Sequence, residues 1–127
     1  MDIRDQEGAD FYIRGKVKFI DILLRSLRTK ENAKILDIGC GTGKDLPVLN
    51  KYGDVYVTDT DRRTLDLLPK RLYVEKSLCS ADNLDFDDNS FDIVVTFDVL
   101  EHIKDDRKVT DEIRRVLHRD GFFIFTV

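Results

Sequence analysis

The strongest constraint on the fold is a short apolar run that breaks into three alternating glycines. The stretch Lys34 to Lys44 reads KILDIGCGTGK. Ile35, Leu36 and Ile38 predict a buried strand, because a short apolar run bounded by glycine is typical of strands that are covered on both faces. The strand is expected to end in a turn of bare backbone, and this turn could serve a phosphate, a dinucleotide, another nucleotide or only the chain reversal.

Helical and strand patterns alternate along the rest of the chain. Before and after the glycine stretch, the predicted elements are a helix over 15–28, a helix over 44–52 with Gly53 as its C-cap, and a strand over 55–57. A helix capped by Thr60 or Asp61 and stopped by Pro69 follows, and then a weak strand at Leu72 to Val74, a loop over 82–90 and a strand over 91–97. The last elements are a helix capped by Asp105 or Asp106, an Asp120-Gly121 turn and a strand over 122–127, and the helix has on one face Val109, Ile113, Val116 and Leu117. Strands that alternate with helices need crossover connections. The prediction is therefore an α/β fold with a mostly parallel sheet and helices on both faces.

Composition limits the class of protein. A chain of 127 residues with 42% hydrophobic content is expected to form one domain over residues 1–127. Its apolar runs are too short to span a bilayer, its net charge of −4 disfavours nucleic acid, and its N-terminus lacks the apolar core of a signal peptide. Two cysteines without metal-ligand spacing predict no metal site and fit a reducing, cytoplasmic setting.

Two familiar phosphate motifs fit the glycine stretch poorly. A P-loop would need glycine at position 38, where Ile38 stands, and a hydroxyl residue at position 45, where Asp45 stands. In a dinucleotide fingerprint Gly39 and Gly41 match, but the third glycine comes one residue early, at Gly43. Asp37 would also be a poor neighbour for a pyrophosphate, although the dinucleotide alternative stays open.

A third pattern accounts for the acid before the glycines. Asp37 at the head of the turn suits a cationic group such as an amine, and glycines let the backbone approach a ligand closely. Asp59 ends the second predicted strand, where a carboxylate can accept two hydrogen bonds from a ribose diol. Together these features indicate a nucleoside with an amino-acid arm and no phosphates.

Four stretches carry a resemblance to a known family: ILDIGCGTG, VYVTDTD, SADNLDFDDNSFDIVVTFDVLEHI and EIRRVLHRDGFFIFTV. From about Lys34 onward, the chain resembles the class I S-adenosylmethionine-dependent methyltransferases. It is most similar to the small-molecule type related to ubiquinone biosynthesis. The resemblance implies S-adenosylmethionine as cofactor, S-adenosylhomocysteine as product, a helical segment over 1–30 and a cofactor-binding core over 34–127.

The resemblance also implies roles for individual residues. Asp37 and the backbone at Gly39, Cys40, Gly41 and Gly43 are expected to face the methionine part of the cofactor. Asp59 is expected to hold the ribose and Thr60 to lie against the adenine. The remaining residues implied are Ser80, Ala81 and Asp82 at the adenine edge, with Thr96, Phe97 and Asp98 beside the sulfonium and the acceptor.

The resemblance implies a Rossmann-like, doubly wound sheet of about five strands in the order 3-2-1-4-5. Two departures from the family accompany it. Ser80 stands where the family usually has aspartate, and the family's last two strands are missing after Val127. The apolar strand over 122–127 would then be an exposed edge, which predicts a homodimer or a partner chain.

Methyl transfer from a sulfonium mainly requires that two reactants be positioned, so no catalytic triad is expected. Asp98 and His102 are weak candidates for catalysis, and a structural hydrogen bond at the start of a helix is the favoured explanation of His102. The function predicted is methyl transfer to an unidentified, small-molecule acceptor. The alternative is a non-catalytic subunit that binds S-adenosylmethionine and needs a partner chain, and a nicotinamide enzyme is a more distant one.

Overall fold

The computed structural model of the chain describes residues 18–97 and 107–125. Their elements in chain order are α1 over 18–27, β1 Ala33–Ile38, α2 Leu46–Leu49, β2 Gly53–Asp59, α3 Arg62–Asp66, a 3₁₀ turn Lys70–Leu72, β3 Glu75–Leu78, β4 Phe91–Thr96, α4 Arg107–Val116 and β5 Leu117–Phe125. The predicted α/β alternation is confirmed.

The five strands form one sheet in the order β3-β2-β1-β4-β5, and each neighbouring pair is parallel. The predicted strand order 3-2-1-4-5 is therefore confirmed. β1 and β2 pair in register from Ala33 opposite Gly53 to Ile38 opposite Thr58. This register brings the carboxyl ends of β1 and β2 to the same edge, next to the point where the strand order reverses between β1 and β4.

Apolar side chains cover both faces of the sheet. On one face, alternate residues of β1, β2 and β4 pack against α1, α2 and α3, with Ile35, Val57 and Ile93 fully buried. On the other face, Leu36 and Val94 pack against the buried side of α4. Because β1 is covered on both faces, it has an almost continuous apolar sequence rather than an alternating one.

The third strand lies later in the chain than the sequence predicts. The strand predicted at Leu72 to Val74 is wrong, because β3 is Glu75–Leu78 and follows the 3₁₀ turn Lys70–Leu72. β3 pairs along its whole length with the second half of β2. This pairing, rather than intrinsic propensity, places the strand, and its charged residues suit the outer edge of a sheet.

The helix predicted over 44–52 is shorter than expected. α2 covers only Leu46–Leu49 and has Asn50 as its C-cap, so the prediction of Gly53 as C-cap is wrong. Gly53 is instead the first residue of β2, where a Cβ would lie 2.0 Å from the carbonyl oxygen of Ala33. Close pairing with β1 therefore accounts for this glycine.

The Asp120-Gly121 turn is also wrong, because both residues lie inside β5. The pairing between β4 and β5 is irregular at this point: Phe91 lies opposite Leu117, and Ile93 lies opposite Phe122. A two-residue step along β4 therefore faces a five-residue step along β5. The Asp-Gly pair lies within this bulge, in which residues 118–121 of β5 face the single residue 92 of β4. Leu117, predicted on the helix face, begins the strand.

Candidate functional site

The glycine loop, residues 39–43, leaves β1 at the carboxyl edge of the sheet and bends over the end of β2. The N–H groups of Gly39 and Cys40 both donate to the carbonyl oxygen of Thr58, each at 3.0 Å. The N–H of Gly43 donates to the carbonyl oxygen of Cys40 at 3.1 Å and closes a tight turn. The loop is thus fixed to β2 by its own backbone, and its position follows from the β1–β2 register.

All three glycines of the loop have positive φ, of 70° at Gly39, 55° at Gly41 and 81° at Gly43. A Cβ on Gly43 would lie 2.8 Å from Cδ2 of Leu68. A Cβ on Gly41 would meet no atom within 4 Å beyond its own chain neighbours. A Cβ on Gly43 would therefore have to displace the end of a core leucine side chain, whereas Gly41 borders open space.

Asp59 connects the glycine loop with the start of α3. Its Oδ2 accepts a hydrogen bond from the N–H of Gly41 at 3.2 Å, and its Oδ1 accepts one from the N–H of Asp61 at 2.9 Å. Asp61 in turn caps α3 by accepting from the N–H of Arg63 at 2.9 Å, as the sequence predicts. Each oxygen of Asp59 keeps acceptor capacity, because a carboxylate oxygen has two lone pairs.

A cavity of about 290 Å³ lies beside Asp59. Its lining comprises Ile38, Gly39, Thr58, Asp59, Thr60, Cys79 and Ala81. The cavity is therefore bounded by the carboxyl ends of β1 and β2 and by the residues that follow β3. The structure brings Gly39, Asp59, Thr60 and Ala81 together there, and all four are predicted site residues.

Asp37, near the end of β1, and Cys40, within the glycine loop, are both buried. Asp37 is 2% exposed and Cys40 is 9% exposed. Burial, and then the nearby carboxylates of Asp37 and Asp59, raise the pKa of the Cys40 thiol to about 12. The thiol is therefore protonated at neutral pH, which argues against a nucleophile at this position.

Ser80, Ala81 and Asp82 form a small turn after β3. The hydroxyl of Ser80 donates to Oδ1 of Asp82, and Ser80 forms an isolated antiparallel bridge with Asn83. Ala81 borders the cavity, whereas Asp82 is exposed. Contact of Ser80 and Asp82 with a ligand stays a prediction.

Thr96 and Phe97 lie at the end of β4 with buried side chains, 0% and 4% exposed. Phe97 packs in the same apolar cluster as Cys40. Neither residue lines the cavity beside Asp59, so their expected position near a ligand stays a prediction. Asp98 and His102 lie outside the described residues.

Sequence reasoning missed three residues that line the cavity, namely Ile38, Thr58 and Cys79. Cys79 directly follows β3, and its N–H donates to the carbonyl oxygen of Asp59 at 3.2 Å. A correct placement of β3 would have found Cys79, because residues that follow parallel strands meet at one edge of the sheet. The prediction of the strand at Leu72 to Val74 concealed this signal.

Another cavity, of about 540 Å³, lies at the opposite edge of the sheet. It includes Lys30, Asp92 and His118, with Lys30 Nζ 3.5 Å from Asp92 Oδ1. This larger cavity contains none of the predicted site residues. In the described ranges, 18–97 and 107–125, no group of side chains is arranged to hold a metal ion, and no helix is long and apolar enough to cross a membrane.

Comparison with known proteins gives consistent results. A family model described as a methyltransferase domain matches residues 36–125. A protein of Methanocaldococcus jannaschii is 33% identical over 109 residues, which cover 85% of this chain and 46% of the relative. The chain thus spans about half the length of the curated relatives it matches.

Solved structures share the fold. A Pyrococcus horikoshii protein has a TM-score of 0.74 and 28% identity, with 99% of this chain and 61% of that chain covered. An S-adenosylmethionine-dependent methyltransferase from Aquifex aeolicus has a TM-score of 0.68 and 20% identity, with 87% of this chain and 70% of that chain covered.

The motifs, the strand order and the family match agree with one another. The predicted cofactor, S-adenosylmethionine, agrees with the family match and with the Aquifex aeolicus structure, which is that of an S-adenosylmethionine-dependent methyltransferase. The closer likeness to the ubiquinone-biosynthesis type stays a prediction. The chain belongs to the methyltransferase-domain family, and it shares its fold with solved S-adenosylmethionine-dependent methyltransferases.

Proposed function

We propose that this chain binds S-adenosylmethionine and transfers its methyl group to a small-molecule acceptor. The observation that carries the proposal is the position of Asp59, whose carboxylate both anchors the glycine loop and borders a cavity. Membership of the methyltransferase-domain family supports it. Methyl transfer by this chain is itself part of the proposal, because the matched relatives are about twice as long and the chain spans only part of them.

The residues around the cavity fit this cofactor. A volume of about 290 Å³ suits a nucleoside, since ligand pockets begin at roughly 300 Å³. Asp59 has an acceptor site left on each carboxylate oxygen, enough for the two hydroxyls of a ribose. The open space at Gly41 lets backbone approach a ligand closely. These features suit a nucleoside that carries no phosphate.

The chain's own residues hold and orient the cofactor. We assign the ribose to Asp59, the adenine side to Thr60 and Ala81, and the methionine part to the glycine loop with Asp37 at its head. The bound cofactor would supply a methyl group already activated by its positively charged sulfur. Positioning alone can account for a large share of the rate enhancement of such a transfer. Asp98 and His102 stay the candidates for catalysis.

We also propose that a second copy of this chain pairs with the edge of β5. Among the described residues, β5 pairs only with β4, and its other edge has no strand neighbour. Phe122 and Phe125 are 41% and 49% exposed. An apolar strand edge favours pairing, and two identical edges related by a two-fold axis are self-complementary.

We place the protein in a reducing, cytoplasmic setting. Both of its cysteines, Cys40 and Cys79, are free thiols. Disulfides are common in oxidising compartments and rare in the cytosol, so this usage favours the cytosol.

Calorimetric titration with S-adenosylmethionine, S-adenosylhomocysteine and a nicotinamide dinucleotide tests the proposed site. We expect the first two to bind and the third not to. Asp59→Ala is expected to weaken binding by about 1–3 kcal/mol, through loss of charge-assisted hydrogen bonds. Asp54→Ala is the matched control, because Asp54 is an exposed aspartate near the start of the same strand.

Two results would count against the proposal. Equal binding by the Asp59→Ala and Asp54→Ala variants would mean that Asp59 neither contacts the ligand nor presets the loop for it. Failure of the wild-type chain to bind either sulfur-containing nucleoside would remove the cofactor assignment. Release of S-adenosylhomocysteine with candidate acceptors then separates an enzyme from a non-catalytic, cofactor-binding subunit.

A further inference from the structure

The connection between β3 and β4, residues 79–90, includes one wall of the cavity and has little regular structure. Connections of this length without helix or strand are uncommon, and they are usually functional or disordered. This one is ordered by contacts with α4. Its buried residue Leu84 is 4% exposed, so the polar groups of its backbone need partners inside the protein.

Two charged side chains of α4 supply these partners. Glu112 Oε2 accepts a hydrogen bond from the N–H of Leu84 at 2.7 Å. Arg115 donates from Nη2 to the carbonyl oxygen of the same Leu84 at 2.9 Å. Both backbone groups of Leu84 are therefore held by an ion pair where a strand neighbour would otherwise hold them.

Arg115 holds more of the connection than Leu84. Its Nη1 donates to the carbonyl oxygen of Phe86 at 2.7 Å and to Oδ1 of Asp88 at 2.9 Å. Its Nε donates to Glu112 Oε1 at 2.7 Å. The hydrogen bond from Arg115 lowers the pKa of Glu112, so the carboxylate stays ionised and the bonds stay charge-assisted.

Leu84 is joined to the cavity by a short, closed turn. Only Asp82 and Asn83 separate it from Ala81, which lines the cavity. The N–H of Asn83 donates to the carbonyl oxygen of Ser80 at 3.1 Å, which closes the turn. A displacement of Leu84 therefore moves the cavity wall rather than being absorbed by a flexible linker.

We propose that Glu112 and Arg115 are positioning residues that fix the cavity wall at Ala81 and so set the affinity for the nucleoside part of the cofactor. The proposal rests on the proposed function, because it assumes that this cavity takes the cofactor. Neither side chain lines the cavity, so both act through the backbone of the connection.

The test compares Arg115→Lys with Arg114→Lys. A lysine at 115 keeps the charge but cannot reproduce the planar fork of donors. Arg114 is the matched control, because it is the adjacent arginine of the same helix and is exposed. The measurements are amide hydrogen exchange, titration with S-adenosylhomocysteine well below the unfolding temperature, and the unfolding temperature itself.

For Arg115→Lys, we expect faster exchange at Leu84 and about tenfold weaker binding of S-adenosylhomocysteine, equal to ~1.4 kcal/mol. We expect Arg114→Lys to match the wild type in both measurements. If Arg115→Lys is not folded, Glu112→Gln serves as the second variant, because it keeps the shape of the side chain. It is expected to change both measurements in the same direction.

The possible failures are distinguishable. A wild-type chain that does not bind S-adenosylhomocysteine overturns the proposed function and this proposal with it. Wild-type binding together with unchanged affinity in folded Arg115→Lys overturns the positioning role alone, even if the unfolding temperature falls. Unchanged exchange at Leu84 overturns the role of the ion pair in holding the connection.

Discussion

Alanine substitution of Gly41 and Gly43 separates the two tasks of the glycine loop. Both glycines have positive φ, at 55° and 81°. An added methyl group would meet nothing within 4 Å at Gly41, but would lie 2.8 Å from Leu68 Cδ2 and 3.2 Å from Leu46 Cδ1 at Gly43. The same change is therefore expected to affect ligand binding at one position and folding at the other.

The magnitudes follow from these two geometries. A left-handed conformation costs an alanine about 1 kcal/mol, and both variants carry this cost. Gly43→Ala adds overpacking against two core leucines, roughly 1–3 kcal/mol, for a total destabilisation of about 2–4 kcal/mol. With roughly 4 °C per kcal/mol in a domain of this size, we expect the unfolding temperature to fall by about 4 °C for Gly41→Ala and 8–16 °C for Gly43→Ala.

Ligand affinity should change in the opposite order, with the larger loss in Gly41→Ala. A methyl group on Gly41 would occupy the open space beside the loop, where we place the methionine part of the ligand. Gly41→Ala is therefore expected to weaken S-adenosylhomocysteine binding at least tenfold, about 1.4 kcal/mol. Folded Gly43→Ala is expected to bind within a few-fold of the wild type. Thermal unfolding and calorimetry on the same samples measure both quantities. Wild-type affinity in Gly41→Ala, or equal destabilisation by the two substitutions, would refute this reasoning.

Three further outcomes are expected. Near pH 8, iodoacetamide should modify Cys79 far faster than Cys40, because a pKa of about 12 leaves only about one Cys40 thiol in ten thousand as thiolate. Bound S-adenosylhomocysteine should protect Cys79 from this reaction. Peptide mass spectrometry measures both effects, and equal rates at the two cysteines would contradict the burial of Cys40. A hydrogen bond from Arg115 lowers the pKa of Glu112 below its ordinary value of 4.5, so the Glu112–Arg115 pair stabilises the fold above pH 4.5 and loses this effect as pH falls through the lowered pKa. In urea unfolding, the free energy by which the wild type exceeds Glu112→Gln should therefore shrink in that pH range. A difference that stays constant with pH would contradict the lowered pKa. Phe125→Lys should shift any dimer to monomer in analytical ultracentrifugation, Val74→Lys at the other edge should not, and a monomeric wild type would refute pairing through β5.

The sequence predicted the fold well where a single pattern decides. The buried β1 run, the apolar strand β4 and the apolar face of α4 are all strong local signals, and the strand order follows from the family resemblance. The site could be predicted in outline for a similar reason. Asp59 ends β2 and the glycine loop follows β1, and the ends of neighbouring parallel strands share one edge.

What the sequence could not predict depends on pairing between distant residues. β3 has a charged sequence, and it is a strand only because β2 provides a partner. The bulge at Asp120-Gly121 arises from the register between β4 and β5. The contacts of Arg115 with the connection 79–90 were equally hidden, because in the sequence an adjacent arginine pair on a helix indicates only a solvated face.

The register between β1 and β2 also explains why one carboxylate can organise the site. Ile38 pairs with Thr58, so the loop after β1 and Asp59 at the end of β2 begin at the same level of the sheet. The carbonyl of Thr58 then takes the first two N–H groups of the loop, and Asp59 takes the N–H of Gly41. These bonds set the loop before any ligand arrives, which lowers the conformational cost of binding. A substitution at Asp59 should therefore weaken binding both by losing its contacts and by loosening the loop, so its effect should exceed that of deleting both ribose hydroxyls from the ligand. Titration of the wild type with the 2′,3′-dideoxy analogue of S-adenosylhomocysteine measures the contacts alone. A loss equal to that of Asp59→Ala would show that the preset loop contributes nothing to affinity.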